Sequence, residues 1–228
     1  MSKLKYIFRL FKKFFWYLPQ SAYFNFKFLP FSQAIRMPIL LYKPHFIRLK
    51  GNVRIEADKI TPGMIQMGYL VNTCNPNNGI TLDLDGTIIF KGRAVFANDS
   101  YIMIRDKGTL TLGRDLDCNC KIKCAQSIEI GDETWIAYDS MIMDSDWHAL
   151  TDITTGKLLK KTSPVKIGKH NFISYKCIVT KGAVTPDYAT FMPQSLINRV
   201  YESGEYPLFG GNPCELIDEG FYMDHNNN

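Results

Sequence analysis

The sequence predicts an all-β solenoid, in which the chain winds into stacked triangular coils behind an N-terminal appendage. Three observations predict this fold. Apolar residues recur at every sixth position, mostly small residues follow them, and a second apolar row lies two residues ahead of the first. A period of six fits neither a helix with 3.6 residues per turn nor a simple hairpin meander. It fits short strands that turn a corner at every sixth residue.

Two stretches carry the six-residue period, with an interruption between them. The first has Leu112, Cys118, Cys124, Ile130, Ile136 and Ile142, and the second has Ile167, Ile173, Val179, Thr185, Phe191 and Ile197. The supporting row consists of Leu110, Leu116, Ile122 and Ile128. Residues two apart point to the same side of a strand, so both rows should face a common core. The small residue after each apolar one lets the chain bend.

The length and composition suit one globular domain with an appendage. The chain has 228 residues, of which 46% are hydrophobic and 21% charged, which makes a disordered tail, a collagen-like rod or a multidomain assembly a poor interpretation. The predicted organisation is an N-terminal basic aromatic segment over 1–50, a β-helical domain over 51–200, and a closing segment with a tail over 201–228.

The basic residues are concentrated at the N-terminus. Residues 1–55 hold eleven Lys and Arg and no acidic residue, while the rest of the chain holds 16 basic and 22 acidic residues. General nucleic-acid binding by the whole domain is therefore excluded as an interpretation.

The cysteines and the early apolar run indicate a cytoplasmic protein. Arg9, Lys12 and Lys13 interrupt that run, so no secretory signal is predicted and the six cysteines should be reduced thiols. The longest early uncharged stretch, 14–26, contains a proline and is shorter than the ~20 residues of a membrane-spanning helix. Cys118 and Cys124 hold inward repeat positions without a nearby His, which predicts buried thiols and no metal site.

An amphipathic basic helix is predicted over residues 3–18. Its apolar face consists of Leu4, Ile7, Phe8, Phe11, Phe15 and Leu18, and Pro19 ends it. Aromatic rings flanked by Lys and Arg suit the headgroup layer of an anionic membrane, which predicts peripheral binding through residues 1–18 at the inner face of the cell membrane. The alternative is a helix that packs on the main domain or on a neighbouring subunit. Residues 20–50 are interpreted as an irregular connector with a short helix.

Two repeat units, an active-site string and a closing signature together resemble the hexapeptide-repeat acyltransferases. Ile-Gly-Asp-Glu-Thr-Trp at 130–135 and Pro-Val-Lys-Ile-Gly at 164–168 resemble the family's repeat units. Ile-Met-Asp-Ser-Asp-Trp-His at 142–148 resembles its active-site string, and Gly-Asn-Pro-Cys-Glu-Leu-Ile at 211–217 its closing signature. The resemblance covers roughly residues 80–217 and is nearest to the sugar O-acetyltransferases of bacterial capsule, exopolysaccharide and lipopolysaccharide synthesis.

The resemblance implies both a fold and a function. The fold is a left-handed parallel β-helix, here with an N-terminal helical segment and a loop inserted after His148. The function is acetyl transfer from acetyl-CoA to a hydroxyl of a sugar or glycan precursor. The family also implies a homotrimer whose active sites lie between neighbouring subunits.

His148 is the predicted general base. It falls where the period stops and precedes a 15-residue insertion over 149–163. A neutral imidazole can take a proton from a sugar hydroxyl near pH 7. The alternative is a histidine that caps a loop carbonyl.

Four further residues are candidates for the acceptor side of the site. Asp146 lies two residues before His148, and in an extended strand it would share a side with the imidazole and orient it or hold the sugar. Asp144 is a weaker candidate for the same role, and for both the alternative is a solvated turn aspartate. Trp147 could stack on a sugar or cover the pantetheine arm, or else fill the core. Asn119 resembles a substrate-binding asparagine of the family.

The donor site is predicted by position within the resemblance. Tyr175 and Pro193 would line the pantetheine arm, and Asn198 with Arg199 and Lys181 would lie near the nucleotide phosphates. Glu215 departs from the basic residue usual after the Gly-Asn-Pro motif, and the units at 185–190 and 191–196 are poor repeats. These departures predict distorted C-terminal coils and an altered donor site.

Two other functions stay open at the level of sequence. One is transfer to the amino group of a nucleotide-linked sugar or to a serine-type acceptor. The other is a trimeric β-helical scaffold without catalytic activity.

Overall fold

The computed structural model describes residues 12–69, 76–202 and 204–223. In these residues the chain winds into a parallel β-helix with three faces, so the predicted all-β solenoid is confirmed. Most of the predicted helix over 3–18 lies outside the described residues.

Face 1 begins each coil. Its parallel strands follow one another in the order β1 (Ile39–Leu41), β4 (Ile65–Tyr69), β7 (Ala94–Ala97), the first part of β10 (Leu116–Cys124), the first part of β12 (Trp135–Met143), β14 (Phe172–Ile173), β16 (Thr190–Phe191) and β18 (Leu208–Gly210).

Face 2 follows face 1 around the first corner. Its strands are β2 (Pro44–Leu49), β5 (Ile80–Leu84), β8 (Ser100–Ile104), the second parts of β10 and β12, β15 (Ile178–Val179) and β17 (Leu196–Ile197).

Face 3 lies beyond the second corner and leads through the third corner back to face 1. Its strands are β3 (Asn52–Ile55), β6 (Thr87–Phe90), β9 (Thr109–Leu112), β11 (Ser127–Ile130) and β13 (Val165–Ile167), and single bridges continue it through Val184 to Val200.

The core contains the residues that the six-residue period places inward. All twelve residues of the two main rows, and all four of the supporting row, are buried. Leu112 pairs with Ile130 one coil further along, and Ile130 pairs with Ile167 across the insertion. Burial of this continuous apolar column at ~25 cal/mol per Å² is the main stabilising contribution.

The small residues at the third corner allow the coils to stack closely. A Cβ on Gly131 would lie 2.6 Å from the backbone of Gly168 in the next coil, and one on Gly113 would lie 2.7 Å from the backbone of Gly131. Both distances are below van der Waals contact, so glycine is required here by close approach of the coils.

The predicted insertion leaves the β-helix at the second corner. The chain then returns as β13, which pairs with β11 in register. Within it, Ser145 pairs with Thr162 and Thr151 with Leu158 in antiparallel bridges. The inserted loop after His148 is thus confirmed as an exposed arm, whose tip carries Ile153.

The coils begin earlier than the sequence analysis places them. β1 and β2 lie in the segment interpreted as an irregular connector, and the predicted boundary at residue 51 falls within the first coil. The connector interpretation is wrong for these residues, because they form strands. Every residue of β1 is buried, so in the sequence this strand is a continuous apolar run without the alternation that would indicate a strand.

Helices cover the open N-terminal end of the β-helix. A 3-10 turn, Phe15–Tyr17, leads into α1 (Leu18–Phe28), which is followed by the short α2 (Phe31–Ala34). Phe14 is buried against Leu40 and Leu18 packs beside them, whereas Phe15, which belongs to the predicted apolar face, is exposed. None of the described helices is long and apolar enough to cross a membrane.

The C-terminal coils keep their register despite their poor repeat sequences. Thr185 stands at an inward position, and its hydroxyl accepts a hydrogen bond from the Gly168 amide at 3.0 Å and donates one to Asn171 Oδ1 at 2.7 Å. The predicted distortion of these coils is therefore wrong, because the polar inward group is satisfied. The antiparallel strand β19 (Glu215–Asp218) closes this end against β18.

Candidate functional site

The predicted site residues lie on two different corners of the β-helix. Asn119, Tyr175 and Pro193 are at the first corner, between faces 1 and 2, whereas Asp146, Trp147, His148, Lys181, Asn198 and Arg199 are at the second corner, between faces 2 and 3. A face of about five residues at ~3.3 Å per residue separates the two corners by on the order of 15 Å. One copy of the chain therefore does not bring the two groups together.

His148 is exposed at the base of the inserted arm, after β12 has ended. In the described part of the chain its imidazole has no hydrogen bond or ion pair to the protein. The alternative role, a cap on a loop carbonyl, is thus not realised among these residues. Both ring nitrogens are free to meet a substrate from outside the single chain.

Asp146 pairs with Lys181, which lies in the next coil at the same corner. The same ammonium donates a hydrogen bond to the carbonyl oxygen of Lys160 at 2.6 Å. The expectation that Asp146 and His148 share a side of an extended strand is wrong, because Trp147 between them has a φ of 63°. This left-handed residue turns the chain out of the strand direction.

Asp144 is completely buried below the second corner. Its carboxylate accepts hydrogen bonds at 2.7 Å from the backbone amides of Ala125, Gln126 and Ser127 in the preceding coil. The predicted direct catalytic role of Asp144 is therefore corrected. It positions the chain by satisfying the amides of a corner, and both of its oxygens accept these hydrogen bonds.

Trp147 is half-buried beside His148. Its backbone amide donates to Ser145 Oγ at 3.0 Å, and its indole Nε1 is a buried donor without an acceptor among the described residues. An unsatisfied indole N–H at this depth offers a hydrogen bond to a group that the single chain does not supply.

The first corner borders a groove of about 310 Å³ on the outside of face 1. Its walls include Val95, Asp117, Asn119, Trp135, Tyr138 and Phe172. Asn119 Oδ1 is buried without a hydrogen-bond donor among the described residues. Aromatic walls around one unsatisfied polar atom are typical of a small-ligand site.

The predicted donor residues differ in how accessible they are. Tyr175 stacks on Tyr138 with ring centroids 5.6 Å apart, and Pro193 is exposed one coil further along. Arg199 donates to the carbonyl oxygen of Cys214 at 2.7 Å and lies 4.0 Å from Glu215, yet half of its side chain is exposed. Asn198 is exposed beside it. Arg199 thus retains guanidinium donors for an anionic group.

The cysteines of the described residues have buried thiols. Cys118, Cys120, Cys124, Cys177 and Cys214 are free and buried, which confirms the prediction for Cys118 and Cys124. Burial raises the pKa of the Cys177 thiol to about 11, and burial together with the charge of Asp144 raises that of Cys124 further. Within the described ranges, no cluster of three His, Cys, Asp or Glu side chains has the arrangement of a metal site.

The sequence analysis did not identify the groove residues Trp135 and Tyr138. Trp135 follows the third corner and Tyr138 lies at the first corner of the same coil. Both hold outward positions, where polar residues are the norm. Outward aromatic residues in the coil that ends at the active-site string are the signal that could have found them.

Face 2 carries apolar side chains together with two lysines on its outer side, between the two corners. Residues that pair across the coils form two outward columns there. One column contains Tyr101, Lys121, Met141, Ile178 and Leu196, and the other contains Met103, Lys123 and Met143. Methionine and aromatic residues on an outer face are typical of protein interfaces.

Comparisons with known proteins give likenesses only among solved structures. No family model matches the chain, and no curated protein matches it. The polySia-specific acetyltransferase NeuO is 14% identical with a TM-score of 0.48, over 80% of this chain and 82% of its own. A maltose O-acetyltransferase from Clostridium difficile 630 is 16% identical with a TM-score of 0.37, over 98% and 90%. AntD, an N-acyltransferase from Bacillus cereus in complex with dTDP and coenzyme A, is 13% identical with a TM-score of 0.37, over 84% and 89%. At such identities and TM-scores these likenesses assign no activity and no site residue to the chain.

Proposed function

We propose that this chain is a hexapeptide-repeat acyltransferase that moves an acetyl group from acetyl-CoA to a hydroxyl of a sugar or glycan precursor. The observation that carries the proposal is His148, an exposed imidazole without a partner among the described residues, at the corner where the active-site string ends. The groove with the unsatisfied Asn119 lies at the other end of face 2.

A homotrimer would join the two halves of the site. If three copies turn face 2 toward a common threefold axis, the second corner of one copy meets the first corner of the next. The outward columns on face 2, which include Met141 and Ile178, would then be buried around the axis. His148 of one copy would face Asn119 and the aromatic groove of its neighbour.

The chemistry requires one base and a way to align two substrates. His148 would accept the proton of the acceptor hydroxyl as its oxygen attacks the thioester carbonyl carbon. The tetrahedral intermediate would collapse with cleavage of the carbon–sulfur bond, and the imidazolium would return the proton to the departing thiolate. No covalent acyl-enzyme is needed, because the thioester is already activated.

The donor would extend along both corners of the assembled groove. Tyr175 and Pro193 would contact the pantetheine arm, while Arg199 and Asn198 would meet the nucleotide phosphates. Lys181 is the weaker phosphate candidate, since its ammonium already binds Asp146 and the Lys160 carbonyl. The exposed guanidinium of Arg199 fits an anionic group even though Glu215 lies close to it.

The acceptor would bind where unsatisfied polar atoms remain. Asn119 Oδ1 can accept a hydrogen bond from a sugar hydroxyl, and the Trp147 indole can donate one. Asp146 would hold the acceptor from the rim of the site through its free oxygen. Trp135 offers an aromatic wall on which a pyranose ring can stack.

The test of catalysis is thioester turnover with a panel of sugar acceptors. His148→Ala should lower turnover by about a hundredfold or more. The matched control is His170→Ala, which removes an imidazole that stacks on Tyr188 at the third corner. Equal turnover in the parent and in His148→Ala overturns the mechanism. A parent that turns over no thioester with any hydroxyl or amino acceptor supports the scaffold alternative.

The test of the shared site is complementation between two inactive variants. His148→Ala and Asn119→Ala are expressed together so that mixed trimers form. Since each site would combine residues of two copies, about a quarter of the sites should regain both residues by random mixing. No recovery of activity in mixed trimers contradicts a site shared between copies.

A further inference from the structure

Helix α1 places its polar residues against the β-helix. Asn25 Nδ2 donates to the carbonyl oxygen of Ile39 at 2.7 Å, and Asn25 Oδ1 accepts from the Ile39 amide at 3.2 Å. Ser21 Oγ accepts from the Leu41 amide at 2.9 Å. Both side chains are completely buried. They satisfy the free edge of β1, which an open β-helix would leave unpaired.

The opposite side of this helical segment is aromatic and exposed. Trp16 is 82% exposed and Phe31 70% exposed, and Phe15, Tyr23, Phe26 and Ile35 are also exposed. The exposed residues of α1 recur at the spacing of one helix face. Their rings adjoin, since Phe15 and Trp16 lie 5.5 Å apart and Phe26 and Phe31 lie 6.0 Å apart. This arrangement inverts the usual pattern, in which the polar face of a helix meets the solvent.

The charged residues within this helical segment are all basic. Lys12, Lys27 and Arg36 are exposed on the same segment, and Lys27 lies 5.9 Å from the ring centroid of Tyr23. The first 55 residues contain no Asp or Glu. We call the exposed side chains of Lys12, Phe15, Trp16, Tyr23, Phe26, Lys27, Phe31, Ile35 and Arg36 the cap surface.

We propose that the cap surface binds the headgroup layer of an anionic phospholipid membrane. Trp and Tyr rings at the level of the headgroups, with Lys and Arg beside them, match both parts of that layer. The absence of acidic residues complements a negatively charged lipid surface. In the core of an interface with another protein chain, lysine would instead be depleted around the aromatic residues.

This surface shares only Phe15 with the apolar face predicted over residues 3–18. It consists of residues that α1 and its flanking turns hold outward, and Phe14 and Leu18 are not part of it because they pack inward. If the trimer of the proposed function forms, its three cap surfaces lie at the same end of the threefold axis and bind one membrane together.

The test uses co-sedimentation of the full chain with vesicles. The parent should bind vesicles of phosphatidylcholine and phosphatidylglycerol, and its binding should weaken with added salt and on pure phosphatidylcholine. The triple variant Trp16→Ser, Phe26→Ser, Phe31→Ser should partition about tenfold or more weakly, and so should Lys12→Gln with Lys27→Gln. The matched control removes two exposed aromatic residues at the opposite end, Tyr206→Ser with Phe221→Ser, and should bind as the parent does.

Three results would overturn the proposal. One is parent-like binding by the triple variant with an unchanged thermal transition. Another is loss of binding on removal of residues 1–11 alone while the triple variant still binds. The third is an end-to-end association of assemblies, measured by mass, that the triple variant abolishes while the parent shows no vesicle binding. All of these readouts are independent of acetyl transfer, so failure of this proposal and failure of the proposed function are distinguishable.

Discussion

The carboxylate of Asp146 binds the ammonium of Lys181, one coil further along the same corner. Both side chains are partly exposed, so the pair lies at the rim of the second corner and not in its interior. It holds the base of the inserted arm to the β-helix next to His148. The other carboxylate oxygen of Asp146 has no hydrogen-bond partner among the described residues.

Asp146→Asn should change substrate binding and leave the fold intact. An exposed ion pair contributes only about 0–1 kcal/mol, so the free energy of unfolding should change by less than about 1 kcal/mol. The KM for the acceptor should rise several-fold, because the acceptor would lose a charged hydrogen-bond acceptor. Steady-state kinetics and denaturant unfolding measure the two effects, with Asp106→Asn at the same corner as the control. A parent-like KM contradicts the assignment of Asp146 to the acceptor.

Asp144→Ala should unfold the chain far more easily. The substitution would leave three amides at this corner, those of Ala125, Gln126 and Ser127, without their acceptor. We expect a loss of about 3 kcal/mol or more, and about half as much for Asp144→Asn, which keeps one oxygen. Denaturant unfolding of both variants beside Asp146→Asn measures the difference. Equal midpoints for the Asp144 and Asp146 variants would contradict the structural role of Asp144.

Asn25→Ala should destabilise the N-terminal end of the β-helix. It removes two hydrogen bonds to the backbone of Ile39 in a fully buried site, at a cost of about 2 kcal/mol. Gln20→Ala, on the exposed side of the same helix, should change stability by less than about 0.5 kcal/mol. Hydrogen exchange of the β1 amides provides a local readout. Unchanged protection of these amides in Asn25→Ala would show that the helix does not hold the strand.

Stability should fall at alkaline pH through the buried thiols. Burial raises the pKa of Cys177 from 9.0 to about 11, so the folded state keeps its proton where the unfolded state releases it. The contribution is fully present below pH 9 and is lost as the pH rises toward 11. Cys177→Ala should therefore lose less stability across this window than the parent does. Val179→Ala creates a neighbouring cavity without a titratable group, and its pH dependence should equal that of the parent.

The regular part of the fold follows from the sequence because each coil repeats the same local requirement. Leu112 and Ile130 are inward for the same reason, and their glycine neighbours mark the corner. The site is less regular. The positive φ of Trp147 and the burial of Asp144 depend on contacts with other coils, which a spacing argument does not contain. β1 was missed because α1 covers its outer side and removes the polar half of the alternation.

The placement of the two halves of the site is also invisible to the period. A repeat of six states that Asn119 and His148 are outward, but it does not state that they stand on different corners. The count of six from one corner to the next fails in this part of the chain, because the first corner widens from Cys118–Cys120 in β10 to Ile136–Ser140 in β12.

The two ends of the β-helix determine that the protein is a finite particle. Stacked parallel strands at a spacing of ~4.8 Å are the arrangement of an amyloid protofilament, and each open end would recruit another chain. At the N-terminal end, Ser21 and Asn25 form hydrogen bonds with the backbone of β1. At the C-terminal end, β19 pairs antiparallel with β18, whereas a further coil would have to add a parallel strand. Growth of a fibril is thereby terminated at both ends within the same chain.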